Sequence, residues 1–241
     1  MNPYLEIIRP LNCFMIVFTV LLSMYIGYAS TGTAIVYLDV LVAVVATFLI
    51  FSAGNVINDY FDVEIDKINK PKRPIPSGRI SKKSAFVMAI VFFLIALGLG
   101  LLVNIYALII ILINTFFVFL YSKIKEKTPY GSVFVGYFVG SAFIFGGVVA
   151  NIESLKILSI LAVLAFLSNV AREITKDIED ADGDKYRKTT LVTYYNERVA
   201  GTIASIFLFF AVLASVLPAQ YMNESYIYVI AVADMLFAYS A

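Results

Sequence analysis

Long apolar stretches that are almost free of charge dominate the chain, with Asp39 and Asp234 as the exceptions. Each is close to the roughly 20 residues that an α-helix needs to cross a hydrocarbon core about 30 Å thick. The stretch from 85 to 120 is too long for one crossing, and Asn104 divides it in two. The sequence therefore predicts an all-α, polytopic transmembrane bundle with eight visible helices. The runs are Leu11–Ala29, Ala34–Ile57, Ala85–Val103, Ile105–Leu120, Val133–Ala150, Ile157–Ala171, Val199–Leu217 and Tyr226–Ala241.

The composition supports a membrane protein and excludes several kinds of site. Hydrophobic residues make up 61% of the 241 residues and charged residues 15%, against about 45–50% and about 25% in soluble domains. The sequence contains no His, which excludes a His–metal site, a Ser-His-Asp triad and a His general base. A single Cys excludes an intrachain disulfide. A net charge of +1 predicts no nucleic-acid partner.

The basic residues are distributed unevenly along the chain. Of the 18 Lys and Arg residues, 17 lie before the first apolar run or around the connections that follow the second, fourth and sixth runs. The exception is Lys156. By the positive-inside rule these segments face the cytoplasm. The sequence thus predicts a multi-pass protein of the cell membrane with a cytoplasmic N-terminus. It shows no basic segment and cleavage site typical of a secretory signal before the first run.

Two of the basic connections share an acidic pattern. The pattern occurs twice, beginning at Asp59 and at Asp177, and it reads D-x2-D-x3-D-K-x2-K. The two copies are offset by 118 residues. Each copy follows the second helix of a four-helix set, and an even number of crossings separates them, which places both on one face of the membrane. We therefore predict a parallel duplication, with pseudo-repeats of about 1–128 and 129–241 inside a single domain that spans 1–241.

The spacing of these acids indicates a cation site. Carboxylates three or four residues apart share one side of a helix, where their repulsion destabilises the helix. A divalent cation such as Mg²⁺ or Ca²⁺ would offset it, and the neighbouring Lys and Arg side chains suit a diphosphate. The alternative interpretation is a solvated, charge-balanced pair of helix ends. The candidate ligands are Asn58, Asp62 and Asp66 in the first segment and Asp177, Asp180 and Asp184 in the second. Asp59 is interpreted instead as a solvated acid.

These residues resemble the motifs of the UbiA superfamily of intramembrane prenyltransferases. The family's two acidic motifs are N-x3-D-x3-D and D-x3-D, and it also has R-P-x3-G, Y-x3-K and an N-terminal R-P-x-N. The family usually has nine helices, whereas eight can be counted here. The matching positions are Asn58, Asp62 and Asp66; Asp180 and Asp184; Arg73 and Gly78; Tyr121 and Lys125; and Arg9 and Asn12.

The resemblance implies a helix bundle around a central cavity and an Mg²⁺-dependent transfer of a prenyl group from a prenyl diphosphate to a lipophilic acceptor. Metal ions would lie between the two acidic segments, and membrane lipids would surround the helices. The implied catalytic acids are Asp62, Asp66, Asp180 and Asp184; the diphosphate ligands are Arg73, Tyr121, Lys125 and Lys185; and the acceptor ligands are Arg9 and Asn12.

Within the family, both acidic segments look most like those of archaeal enzymes that add a second geranylgeranyl chain to geranylgeranylglyceryl phosphate. The implied partners are thus a prenyl diphosphate and a lipid phosphate. Three alternatives remain open: a quinone precursor such as 4-hydroxybenzoate as acceptor, chlorophyllide as acceptor, and, outside enzymes, a divalent-cation transporter. A transporter with inverted repeats would place the two acidic segments in opposite topology.

Overall fold

A computed structural model describes residues 2–181, 189–221 and 225–240 of the chain, with the side chains at 226–235 in the last range. Every regular element in these ranges is helical, which confirms the all-α prediction. The α-helices are α1 (Pro3–Ile8), α2 (Pro10–Thr31), α3 (Tyr37–Phe61), α4 (Val63–Asn69), α5 (Lys82–Val103), α6 (Ile105–Ile124), α7 (Gly131–Ala150), α8 (Leu155–Glu179), α9 (Leu191–Tyr194), α10 (Glu197–Ser215) and α11 (Ser225–Ser240).

The helices agree with the apolar runs. Seven α-helices are long and apolar enough to cross a membrane, and two of them are counted together with an adjoining 3₁₀ turn. These helices are α2, α3, α5, α6, α7, α8 and α10. The eighth run forms α11, whose apolar part, Tyr226–Met235, is shorter. The chain is therefore a multi-pass membrane protein, and each of the eight predicted segments is a helix.

The chain divides into two compact units. The first comprises Met1–Lys123 with Phe145–Ile152, and the second comprises Ile124–Ile144 with Glu153–Ala241. In the first unit, α3 packs along α5 and α2. Its apolar core includes Ile7, Ile57 and Phe93, which come from α1, α3 and α5. The short α1 is thereby attached to the end of α3 that carries the first acidic segment.

Asn104 turns the chain between α5 and α6, as its position in the sequence predicts. Its backbone is extended, with φ −169° and ψ 170°. Its side-chain oxygen accepts a hydrogen bond from the amide of Ala107 at 2.8 Å, and its side-chain nitrogen donates to the carbonyl of Val148 at 2.8 Å. The first bond satisfies an amide at the start of α6 that has no partner within the helix. One residue thus ends α5 and begins α6.

In the second unit, glycines allow α7 to approach α8 closely. A Cβ built on Gly140 would lie 2.8 Å from the carbonyl oxygen of Ala162, and one on Gly136 would lie 2.8 Å from that of Phe166. These separations are too short for any residue with a side chain. Small residues permit such contacts where membrane helices pack. A buried apolar core in this unit joins α8, α9 and α10.

Candidate active site

The first acidic segment lies at the junction of α3 and α4. Asp62 separates the two helices with φ −80° and ψ 0°. The helical hydrogen bonds nevertheless continue through the junction, because the amide of Asp62 donates to the carbonyl of Asn58 at 3.0 Å and that of Asp66 donates to Asp62 at 2.8 Å. Asn58, Asp62 and Asp66 therefore retain the one-turn spacing on which the ligand prediction depends.

Asp59 is the centre of this site, and its interpretation as a solvated acid is wrong. The residue is 2% exposed. Its Oδ1 accepts hydrogen bonds from Nη2 of Arg9 and, at 3.2 Å, from Nη1 of Arg73. A carboxylate removed from water requires such partners, because an unpaired buried charge is strongly destabilising. Asp59 thus joins two segments that are far apart in the sequence.

Arg73 also binds Asp66, which changes the explanation for the clustered acids. Its Nη1 donates to Oδ2 of Asp66 at 2.5 Å, and the side chain of Asp66 is only 5% exposed. The spacing of the acids predicts that a divalent cation offsets their repulsion. In the structure, two guanidinium groups supply positive charge beside Asp59 and Asp66. We call Arg9, Asp59, Arg73 and Asp66 the arginine–aspartate network.

A tight, proline-rich turn fixes the position of Arg73. The carbonyl of Arg73 accepts bonds from the amide of Ser77 at 3.0 Å and from its hydroxyl at 2.7 Å. The amide of Ile80 donates to the carbonyl of Pro74 at 3.0 Å, and Gly78 takes the positive φ of 74° that this turn requires. Prolines before and after Arg73 restrict the backbone further. The R-P-x3-G match therefore corresponds to a compact turn.

Arg9 lies at a sharp corner between α1 and α2. It has φ 51° and ψ 68°, the left-handed region that few residues with a side chain occupy. The side-chain amide of Asn55 donates to the carbonyl of Ile8 at 2.9 Å and so holds the corner against α3. Asn12, the other predicted acceptor ligand, is exposed on the first turn of α2. Their contact with an acceptor stays a prediction, and Arg9 has a partner in Asp59.

The second acidic segment is described only in part. Asp177 lies in the last turn of α8, and Asp180 is the exposed residue that ends this helix. Asp184 and Lys185 lie outside the described residues. The convergence of the two segments on one cavity, and the metal site that it implies, therefore stay predictions. Within the described ranges, no group of three or more His, Cys, Asp or Glu side chains has the arrangement of a metal site.

The predicted Y-x3-K residues lie at the end of α6. Tyr121 is in its last turn, and Lys125 follows the helix; both side chains are partly buried. The next residue, Glu126, accepts a bond from the amide of Thr189 at 3.0 Å through its carbonyl. Thr189 directly follows the second acidic segment, so this bond brings the chain after that segment to the connection after α6.

Asp59 is not among the ligands that the sequence patterns predict. Two signals could have identified it. Asp59 lies seven residues before Asp66, which places both on one side of a helix. It also lies only two residues after the end of an apolar run, and an acid at such a position needs a partner.

Comparisons with known proteins show what the chain is similar to. Residues 16–241 match the sequence profile of the UbiA prenyltransferase family. A digeranylgeranylglyceryl phosphate synthase from Methanococcoides burtonii is 42% identical, and the match covers 98% of this chain and 88% of that protein. A protein of the same name from Methanothermobacter thermautotrophicus is 39% identical over 92% of this chain and 76% of its own length.

Solved structures show the same fold. One structure of a digeranylgeranylglyceryl phosphate synthase superposes with a TM-score of 0.89 at 38% identity, over 98% of this chain and 84% of that one. A UbiA homolog from Archaeoglobus fulgidus bound to GPP and Mg²⁺ superposes with a TM-score of 0.79 over 98% of this chain and 86% of that one. At 16% identity, the second likeness is evidence for the fold alone.

Proposed function

Because the chain belongs to the UbiA prenyltransferase family, we propose that it transfers a geranylgeranyl group from geranylgeranyl diphosphate to geranylgeranylglyceryl phosphate. The product is the doubly prenylated lipid phosphate of archaeal ether-lipid synthesis. The observation that carries this proposal is the similarity to enzymes named for this product over almost the whole chain. The resemblance of both acidic segments points to the same acceptor.

The first acidic segment fits a divalent cation. Asn58, Asp62 and Asp66 offer amide and carboxylate oxygens at one-turn spacing, which is the donor set that Mg²⁺ prefers. The ion pair between Arg73 and Asp66 indicates that the Asp66 carboxylate accepts a positive partner. Asp177, Asp180 and Asp184 would supply the second set. When bound, Mg²⁺ would neutralise negative charge on the diphosphate and so make it a better leaving group.

The chain's own residues would perform the remaining tasks. The guanidinium of Arg73, the ammonium groups of Lys125 and Lys185 and the hydroxyl of Tyr121 are the proposed donors to the diphosphate oxygens. Departure of the diphosphate would leave an allylic cation. The acceptor's hydroxyl oxygen would attack it and lose its proton to the departing diphosphate or to a nearby Asp carboxylate. The apolar helices would keep water from this cation, and aromatic rings stabilise positive charge.

The acceptor phosphate gives the proposal a direct test. A phosphate monoester carries about −1.5 to −2 charge at pH 7, more than the single carboxylate of 4-hydroxybenzoate, and so needs more positive charge. The segment from Lys67 to Lys83 contains seven basic residues. In the experiment, purified protein is incubated with geranylgeranyl diphosphate and equal amounts of three acceptors, with and without Mg²⁺. The acceptors are geranylgeranylglyceryl phosphate, its dephosphorylated alcohol and 4-hydroxybenzoate. We expect product from the first acceptor, in the presence of Mg²⁺ only. Preference for either other acceptor would overturn the assignment.

The distribution of basic residues supports a cytoplasmic site. Labelling with a membrane-impermeant thiol reagent can test this in a Cys13→Ser background, since Cys13 is the one Cys in the sequence. The side chains of Lys67 and Lys156 are 54% and 71% exposed. We expect the reagent to label a Lys156→Cys variant from outside the cell, and a Lys67→Cys variant only after the membrane is permeabilised. The reverse pattern would refute the orientation.

A further inference from the structure

Arg73 contacts two carboxylates that have different roles in the proposed reaction. Its Nη1 lies 2.5 Å from Oδ2 of Asp66 and 3.2 Å from Oδ1 of Asp59. Asp66 is a predicted metal ligand, whereas Asp59 already has a second guanidinium partner in Arg9. A small movement of one side chain therefore decides whether Arg73 is bound mainly to Asp66 or to Asp59.

A metal ion and Arg73 compete for Asp66. The guanidinium lies against one oxygen of a carboxylate that is almost entirely buried. Two positive charges at such short range repel strongly where water does not screen them. A cation bound to Asp66 would therefore repel Arg73, and a guanidinium that moves away needs another negative partner nearby.

Asp59 is placed to be that partner. It is buried, it lies within hydrogen-bond distance of Arg73, and Arg9 holds it on the other side. The proline-rich turn keeps the backbone of Arg73 in place, so that only its side chain has to move.

We propose that Asp59 is a positioning residue that retains Arg73 beside the site when a metal ion takes Asp66, so that the guanidinium can meet the diphosphate. The inference rests on the proposed metal-dependent prenyl transfer. It assigns Asp59 no contact with the metal or the substrate. If the network were purely structural, it would hold the turn in place, and Asp59 would not affect metal binding through Arg73.

The test measures Mg²⁺ affinity by calorimetry on the full-length protein without substrate. Arg73→Gln removes the competitor, and we expect it to tighten Mg²⁺ binding about tenfold, equivalent to ~1.4 kcal/mol. Lys72→Gln is the matched control, because it removes the same charge from an exposed neighbour. Solvent and salt screen exposed charges, so Lys72→Gln should leave the affinity nearly unchanged.

Asp59→Asn provides the opposite change. With its second anchor weakened, Arg73 should stay on Asp66, and we expect Mg²⁺ affinity to fall severalfold. In the double variant Asp59→Asn/Arg73→Gln the effect of Asp59 should vanish, because it acts through Arg73. A direct electrostatic effect of Asp59 on the metal would persist there, so additive changes in the double variant would overturn the inference.

Steady-state kinetics supplies an independent readout. We expect Arg73→Gln to raise KM for geranylgeranyl diphosphate about tenfold even though it binds Mg²⁺ more tightly. Unchanged or weaker Mg²⁺ binding in Arg73→Gln, or equal tightening in Lys72→Gln, would refute the inference even if Asp59→Asn does not fold. If the wild type turns over without Mg²⁺ and binds none, the proposed function fails before the variants are compared.

Discussion

Glu6 and Arg79 form a bidentate ion pair between α1 and the turn that carries Arg73. Nη1 of Arg79 lies 2.7 Å from Oε2 of Glu6, and its Nη2 lies 2.9 Å from Oε1. The same Nη2 also donates to the carbonyl of Lys72. Arg79 therefore ties the N-terminal helix to the backbone next to Arg73, which relates the position of α1 to the geometry of the site.

The Glu6–Arg79 pair predicts a pH effect on stability. The hydrogen bond from Arg79 lowers the pKa of Glu6 below its ordinary value of 4.5. The pair therefore stabilises the fold fully above pH 4.5 and loses this effect as the pH falls through the lower, folded pKa. We expect Glu6→Gln to lower the thermal unfolding temperature slightly at neutral pH, and the difference from wild type to shrink in acid. A difference that grows in acid would contradict this explanation.

Asp66→Asn is predicted to reduce turnover by at least about 100-fold, because changes even beyond the direct ligands of a metal cost about 10–100-fold. Asp184→Asn should do the same. The protein should still fold, since Asn can accept the bond from Arg73 and Arg73 keeps Asp59. The pairing of Asp66 with Arg73 replaces the expectation that repulsion among the acids destabilises the helix.

Activity assays with circular dichroism test the Asp66 prediction. Glu64→Gln is the control, because Glu64 lies on the same short helix, is exposed and pairs with Lys67 at 3.0 Å. It should keep wild-type turnover. Near-wild-type activity in Asp66→Asn would mean that Asp66 serves only to pair with Arg73.

Gly140→Ala should destabilise the second unit. The added methyl group would lie 2.8 Å from the carbonyl oxygen of Ala162, so α7 and α8 must separate. Overpacking of this kind costs about 1–3 kcal/mol. Gly98→Ala is the matched control, because a Cβ on Gly98, in α5, would meet nothing within 4 Å. Thermal unfolding in detergent should separate the two variants, and equal behaviour would argue against the close packing.

Two variants separate the two hydrogen bonds of Asn104. Asn104→Asp keeps the acceptor that caps α6 but loses the donor to the carbonyl of Val148, whereas Asn104→Ala loses both. Loss of a cap costs about 1 kcal/mol. We expect stability to fall in the order wild type, Asn104→Asp, Asn104→Ala. If the Asp and Ala variants are equally stable, the cap contributes nothing.

Much of the fold could be predicted because the membrane imposes a helix length that the apolar runs reveal. Asn104 was identifiable as a break because a polar residue interrupts a run too long for one crossing. The acidic pattern and its one-turn spacing also follow from the sequence. The structure confirms the helices, the break at Asn104 and, in the first acidic segment, the one-turn spacing.

The pairing of the charges could not be predicted. Arg9 lies 50 positions from Asp59, and Glu6 lies 73 positions from Arg79. Charge patterns indicate which residues attract each other, but they do not reveal which pairs the packing of α1 and of the proline-rich turn brings together. The burial of Asp59 follows from that packing, which is why its two ion pairs appear only in three dimensions.

The arginine–aspartate network has consequences for the order of ligand binding. Its two carboxylates and two guanidiniums sum to zero charge, so the network itself cannot offset a divalent cation, whose charge must be met by the other predicted ligands, such as Asp62, and by the substrate. An anionic diphosphate restores the balance. Each ligand should therefore strengthen the binding of the other by the same factor, as reciprocity of coupling free energies requires. This heterotropic cooperativity would keep the cation loosely held until the prenyl donor arrives.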